Sequence, residues 1–263
     1  MVYEKINRLY QGYVFDLDGT IYLSDALLPR AAGVIETLRT AGSKVAFVSN
    51  NPTYTRQQIA GKLTALGIPT NSREVVHSTY VLVRYLHQRA PGCRVFPIGE
   101  QPLHDELALA GFTISTRPEA VDFVIASFDR TFEYSKLQFA FDAIRAGAHF
   151  IATNADRFCP VAGGGQPDAA AVIAAIEACT GTKVEEVVGK PSPLMIRTVL
   201  AQLALEAGDC LLTGDRLETD IVMGKRAGLN TALILTGATL REQLARSLIQ
   251  PDYLIERLDQ LLP

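Results

Sequence analysis

The chain predicts an α/β fold with a mostly parallel sheet, and three observations predict it. Short apolar runs rich in Val, Ile and Phe alternate with helical segments along the whole chain, the mark of parallel-sheet architecture. Turn signals such as Ala41-Gly42, Leu66-Gly67 and Ala227-Gly228 fall where the helices should stop. Polar, chemistry-bearing residues gather at the ends of four strands, the edge at which open α/β sheets bind ligands.

Taken in order, the apolar runs give strands at 12–17, 44–49, 74–77, 94–98, 121–127, 149–152, 185–188, 210–213 and 231–235. Helices are expected at 31–40, 55–66, 80–88, 101–110, 135–146, 168–180, 193–205, 219–227 and 240–248. Asp168, between Pro167 and an Ala-rich run, is expected to cap its helix. The segment 162–167, with Gly163-Gly164-Gly165, reads as loop; no Gly-Lys-Ser/Thr follows, so it is not a phosphate loop. No comparable strand-end polar group arises between Thr79 and Glu185, which marks that span as an inserted second domain.

The most informative stretch is Val14-Phe15-Asp16-Leu17-Asp18-Gly19-Thr20. An apolar strand ends in two carboxylates at i and i+2, which begin on one face. The glycine lets the backbone turn away and leaves both acids at an open edge. Carboxylates that close need a cation between them or different protonation states.

Composition removes several function classes. A net charge of -3 and a pI near 5.8, with no Lys/Arg run, argue against nucleic acid as a partner. No apolar run approaches the ~18 residues a membrane span needs, and residues 1–9 lack a signal-peptide core. Cys93, Cys159, Cys179 and Cys210 show no C-x-x-C spacing, so reduced thiols and a cytoplasmic setting are expected. His77, His87, His104 and His149 are isolated and read as ordinary residues.

The strand-end groups match what cleavage of a phosphomonoester demands. Asp16 is the candidate nucleophile, forming an aspartyl-phosphate. Asp18 is the candidate general acid for the leaving oxygen, then the base for the hydrolytic water. The Ser49 hydroxyl and the Asn50 backbone N–H can hold phosphoryl oxygens, and Lys190 supplies a positive charge. Asp215 would complete an oxygen site for Mg²⁺ with Asp16 and the main-chain carbonyl of Asp18. Each admits a plainer reading. Residues 49–52 suit a helix-capping turn, Lys190 an exposed lysine, Gly214-Asp215 a turn and Asp220 a first-turn helix acid. Their common order at strand ends weakens those readings together.

Asp-x-Asp-Gly-Thr, then Ser-Asn, then Lys190, then Gly214-Asp215 with Asp220 resembles the haloacid dehalogenase superfamily of phosphohydrolases across nearly the whole chain. Residues 189–193, 214–221 and 235–237 are similar to its 4-nitrophenylphosphatase subfamily, which includes the N-acetylglucosamine-operon phosphatase and sugar-phosphate phosphatases. The resemblance implies a Rossmann-like parallel-sheet core (1–78 and 186–263) with an inserted α/β cap (79–185) that serves substrate selectivity. It implies Mg²⁺ at Asp16, Asp18 and Asp215, phosphate at Ser49, Asn50 and Lys190, and Asp220 as a supporting acid bonded to metal-bound water. Residues 151–156 resemble the substrate-facing cap segment. The segment 154–160, which follows an expected strand and mixes Asn154, Asp156, Arg157 and Phe158, is expected to be a loop that lies over the phosphate site and contacts the leaving group; a plain surface loop is the alternative. Ser49 stands where many members carry Thr, which keeps the hydroxyl. Cys159 stands near where pyridoxal-phosphate phosphatases tend to place His, which argues against that substrate.

The expected function is a Mg²⁺-dependent phosphatase acting on small phosphorylated metabolites, with the cap as a candidate homodimer surface and no membrane partner. A phosphomutase or phosphotransferase on the same scaffold is the alternative. A dehalogenase would not require Asp18, and a receiver-type switch carries its phosphorylated Asp on a later strand and needs about half this length.

Overall fold

A computed structural model describes residues 3–161 and 164–263. The described residues divide into two units, one drawn from Met1–Ser49, Arg56–Val76 and Lys190–Pro263, the other from Asn50–Thr55 and His77–Gly189. The chain opens with β1 (Gly12–Asp16), a short hairpin of β2 (Tyr22–Leu23) and β3 (Ala26–Leu27), α1 (Ala31–Thr40), β4 (Lys44–Ser49), α2 (Arg56–Ala65) and β5 (Val75–His77). It continues through α3 (Ser78–Arg89), β6 (Arg94–Ile98), α4 (Gln101–Leu109), β7 (Thr113–Ile114), β8 (Phe123–Ala126), α5 (Tyr134–Arg145), β9 (His149–Ala152), β10 (Phe158–Val161), β11 (Gly164–Pro167), α6 (Ala169–Thr180) and β12 (Glu186–Val187). It ends with α7 (Pro193–Leu203), β13 (Cys210–Gly214), α8 (Val222–Ala227), β14 (Asn230–Ile234), α9 (Arg241–Arg246) and β15 (Tyr253–Ile255).

In the first unit six strands form a sheet in the order β15-β14-β13-β1-β4-β5. β1 pairs in parallel with both β13 and β4, and β13, β14 and β15 continue in parallel. β1 and β13 are buried at every position, as expected of strands covered on both faces. Tyr13 and Phe15 stack at 6.1 Å and join Phe47 and Leu211 in the apolar layer on one face. Strand order reverses at β1, and the register sets Asp16 beside Val48 and Phe15 beside Thr213. Ser49 and Asp215, one and two residues beyond those partners, therefore leave the sheet at the same edge as Asp16.

The second unit holds its own parallel sheet, ordered β12-β9-β8-β6-β7, and an antiparallel pair β10–β11. Phe150, Val124, Ala126 and Ile176 build its core between sheet and helices. Among the described residues no helix is long and apolar enough to cross a membrane.

Three departures from the sequence expectation have physical causes. Gly164–Pro167 is not loop but strand, paired with Phe158–Val161; Ala162 and Gly163 lie outside the described residues. That pairing also makes the end of the expected 154–160 loop a strand. Backbone ladder bonds to a neighbour override the poor strand propensity of glycine, which local composition cannot reveal. β15 and the β2–β3 hairpin are likewise too short to stand out in sequence. The helix expected over 219–227 starts instead as a π-turn, Leu217–Ile221, before α8. Arg216 carbonyl accepts from both Asp220 and Ile221 N–H groups in that widened turn, a device common at functional sites.

Beyond β8, Asp129 anchors a loop of the second unit. Its fully buried carboxylate accepts from Thr131 N–H (2.9 Å), Thr131 Oγ1 (2.7 Å) and Lys136 Nζ (2.7 Å). Burial pushes this carboxyl up, but the hydrogen bonds from Lys136 and Thr131 prevail and hold it below the usual range. A lowered folded-state pKa stabilises the fold above the unfolded value, and that gain is lost as pH falls through the folded value. Asp129→Asn should therefore cost about 1–3 kcal/mol at pH 7, and the deficit should shrink below about pH 4. Urea unfolding of both proteins at pH 7 and pH 3 checks this; an unchanged deficit at pH 3 would show that charge has no part in the effect.

Candidate active site

β1 delivers Asp16 to the sheet edge, and the chain turns sharply behind it. The Leu17 carbonyl accepts from the N–H groups of Thr20, Ile21 and Tyr22 at 3.2, 2.8 and 3.2 Å. Gly19 sits at φ +87°, and a Cβ there would meet Asp215 Oδ2 at 2.6 Å, so both conformation and space require glycine. The turn brings Thr20, itself fully buried, back to Asp16: Thr20 Oγ1 donates to Asp16 Oδ2 at 3.0 Å. Asp16 Oδ1 accepts from Lys190 Nζ.

Lys190 precedes α7, which Ser192 caps by accepting from Leu194 N–H. The Lys190 side chain is 6% exposed and donates also to Asp220 Oδ1 at 2.9 Å. Burial alone would push the ammonium pKa down; the charges of Asp16 and Asp220, and the hydrogen bonds to them, hold it well above the usual lysine value instead.

Asp215 follows β13 and is clasped by the loop after β14. Ala238 N–H donates to its Oδ2, and Thr239 N–H donates to its main-chain carbonyl at 3.1 Å. A Cβ on Gly237 would overlap the Asp215 carboxylate. Thr236 Oγ1 ties this loop to the turn after β1 by donating to the Gly19 carbonyl at 2.6 Å. Asp220, in the π-turn, accepts from Arg216 N–H through Oδ2 at 3.1 Å.

Asp16, Asp215 and Asp220 are all buried and present oxygens within 4.8 Å of one another. Burial first, then the charges of Asp16 and Asp220, pushes the Asp215 carboxyl up to about 7. Burial pushes Asp220 up to about 6 against the pull of Lys190. One ammonium does not balance three carboxylates. A hard divalent cation would, and an all-oxygen donor set is the kind such ions select. The residues present therefore fit a metal.

The structure brings Asp16, Lys190, Asp215 and Asp220 together and leaves Ser49 buried at the same sheet edge. Asp220, read from sequence as a supporting acid, is a full member of the carboxylate cluster. Asp18 is outside that trio and reaches solvent; partial desolvation of its carboxyl at the sheet edge, then the Asp16 charge, pushes it up to about 6, with Lys62 pulling the other way. Thr20, Thr236 and Gly237 acquire structural roles that their motifs displayed only as adjacency: Gly-Thr after the acids and Thr-Gly after a strand.

The remaining predicted residues belong to the second unit. Asn50 Nδ2 donates to Asp156 Oδ2 at 3.0 Å. Asn154 is 1% exposed; its Nδ2 donates to Asp168 Oδ1 at 3.0 Å and its Oδ1 accepts from Thr153 Oγ1 at 2.8 Å. Asp156 is half-buried and Arg157 exposed. Asp168 caps α6 through Ala169 N–H, as its sequence position predicts.

Residues 13–113 match the haloacid dehalogenase-like hydrolase family, and residues 187–261 match a HAD-hydrolase-like family. The chain is 39% identical over 245 residues to "Sugar-phosphatase AraL" of Bacillus subtilis, covering 93% of this chain and 89% of that protein. It superposes on the crystal structure of a 4-nitrophenylphosphatase from Thermotoga maritima with a TM-score of 0.92 and 35% identity, covering 96% of each chain. Against NagD from E. coli the TM-score is 0.87 and the identity 29%, with 95% of this chain and 98% of that one covered. With the buried acids at its sheet edge and likeness along nearly its full length, the chain belongs to the haloacid dehalogenase superfamily, in the class IIA phosphatase branch of the 4-nitrophenylphosphatases and NagD.

Proposed function

We propose that this phosphatase is Mg²⁺-dependent and hydrolyses small phosphate monoesters, sugar phosphates foremost, through an aspartyl-phosphate on Asp16. The observation that carries the reading is the buried trio Asp16, Asp215 and Asp220, with Lys190 bonded to two of its members, at the edge where strand order reverses. The names of the Bacillus relative, a sugar phosphatase, and of the Thermotoga structure, a 4-nitrophenylphosphatase, support the substrate class.

Asp16, Asp215 and the Asp18 main-chain carbonyl would hold Mg²⁺, with Asp220 beside them. Bound there, the ion supplies positive charge to the phosphoryl oxygens. The Ser49 hydroxyl, the Asn50 backbone N–H and Lys190 bind those oxygens and orient phosphorus for in-line attack. Thr20, donating to one Asp16 oxygen, keeps the carboxylate from rotating. Asp16 attacks phosphorus, and the bond to the leaving oxygen breaks as Asp18 gives that oxygen its proton. Asp18, now a carboxylate, takes a proton from water attacking the aspartyl-phosphate, which releases phosphate and restores Asp16. Discrimination among leaving groups belongs to the inserted unit, where Arg157 is the exposed candidate.

A hydrolysis screen over sugar phosphates, glycerol phosphates, phosphoglycolate, nucleotides and pyridoxal phosphate tests the reading. Asp16→Asn should abolish turnover on every ester. Asp18→Asn should lower kcat by on the order of 10²–10⁴, most for poor leaving groups; wild-type rates on 4-nitrophenyl phosphate in Asp16→Asn would overturn the mechanism.

Chelation by EDTA should remove activity and Mg²⁺ restore it, whereas Ca²⁺ should inhibit. Ca²⁺ takes more ligands at longer distances and invites both oxygens of Asp16 to bind, which occupies the attacking lone pair. Full activity in excess chelator would rule out the assigned site.

Gly237→Ala places a methyl against Asp215. The Mg²⁺ concentration for half-maximal activity should rise at least about 10-fold, the effect usual for disturbing groups around a ligand. An unaltered Mg²⁺ dependence would separate Gly237 from the metal position.

A further inference from the structure

Asn50 is held on three sides inside the second unit. Its side-chain Nδ2 donates to Asp156 Oδ2 at 3.0 Å. Its main-chain carbonyl accepts from Ser78 Oγ, a fully buried hydroxyl, at 2.9 Å. Its Oδ1 lies where a Cβ on Gly189 would strike both it and the Thr153 carbonyl, so Gly189 is the residue that leaves room for it.

The carboxylate that receives Asn50 is itself fixed from behind. Asn154 Nδ2 donates to Asp156 Oδ2 at 3.3 Å and to Asp168 Oδ1 at 3.0 Å. Carboxylates only accept, so the amide nitrogen must face both. Asn154 Oδ1 takes the Thr153 hydroxyl at 2.8 Å, and Thr153 Oγ1 meets Ser127 Oγ at 2.8 Å. Ser127, Thr153, Asn154 and Asp168 are each at most 7% exposed. Ala170 N–H donates to the Asp156 main-chain carbonyl at 3.1 Å, which pins the backbone as well. A network with this many buried, mutually bonded members is rigid.

We propose that Asp156 is a positioning residue: through its hydrogen bond to Asn50 it fixes the backbone of the Ser49-Asn50 turn, and so the Asn50 N–H that binds the phosphoryl group, rather than touching the leaving group. This deepens, and rests on, the phosphatase reading. Asn154 then serves as the backing of Asp156, which explains why its amide is spent wholly inside the unit. Arg157, next in the chain and exposed, remains for the leaving group.

A phosphoryl-only ligand separates the two roles, because inorganic phosphate and orthovanadate have no leaving group. Asp156→Ala should weaken inhibition by both about 10-fold, the worth of a charge-assisted hydrogen bond, and lower kcat/KM by a similar factor on 4-nitrophenyl phosphate and on every sugar phosphate. Asn50→Ala, which keeps the backbone N–H but removes the tether, should reproduce this, and the double variant should be no worse than either single one. Asn50→Ala alone carries the test if Asp156→Ala does not fold, since it breaks the same bond from the other partner. Normal phosphate and vanadate inhibition with substrate-dependent losses, or additive effects in the double variant, would overturn the positioning role. A wild-type protein that hydrolyses no phosphate ester would remove the phosphatase reading, and this inference with it.

Discussion

Repulsion among carboxylates crowded at one sheet edge is the constraint to which the first unit answers. Asp16, Asp215 and Asp220 bring three buried acids within 4.8 Å, and an uncompensated buried charge costs several kcal/mol. The protein meets that cost with one lysine shared by Asp16 and Asp220, a hydroxyl from Thr20, and backbone N–H groups from Ala238 and Arg216. The compensation stops short of neutrality, since burial and mutual repulsion still raise Asp215 and Asp220. A site left in that electrostatic deficit is disposed to bind a cation, and its value lies in chemistry rather than stability.

The sheet is built so that this crowding occurs in one place. β1 and β13 are apolar along their lengths and covered on both faces, which leaves only their ends for polar side chains. Parallel pairing aligns those ends, and strand order reverses at β1, the kind of position at which open α/β sheets bind ligands. The close approach of Gly19 and Gly237 to Asp215 then draws two loops inward until their backbones touch the acids.

The inserted unit repeats the parallel-sheet logic but uses its polar edge differently. After β8 and β9, Ser127, Thr153 and Asn154 turn toward one another and are satisfied internally. The first unit gathers like charges there, whereas this one gathers matched donors and acceptors, so its edge is a rigid frame rather than a reactive one. Asp129 with Lys136 and Thr131 adds a second internally balanced cluster.

Much of this was legible in the sequence because it is local. Strand runs such as Lys44–Ser49 and Arg94–Ile98 announce themselves through consecutive apolar residues, and Asp16, Ser49, Lys190 and Asp215 through their positions at strand ends. What sequence could not disclose depends on partners far along the chain. The Gly164–Pro167 strand exists because Phe158–Val161 supplies its ladder bonds. Asp220 is named by its motif, but its direct place in the carboxylate cluster depends on a π-turn and on a bond to a lysine 30 residues earlier. Asn154 and Asp156 carry the residue types of a binding loop, and their side chains also bond Asn50, Thr153 and Asp168. Residue type and spacing determined which groups this protein has available for chemistry. Only the tertiary structure decided which of them are already satisfied, because hydrogen bonds and burial are properties of neighbours in space, not in sequence.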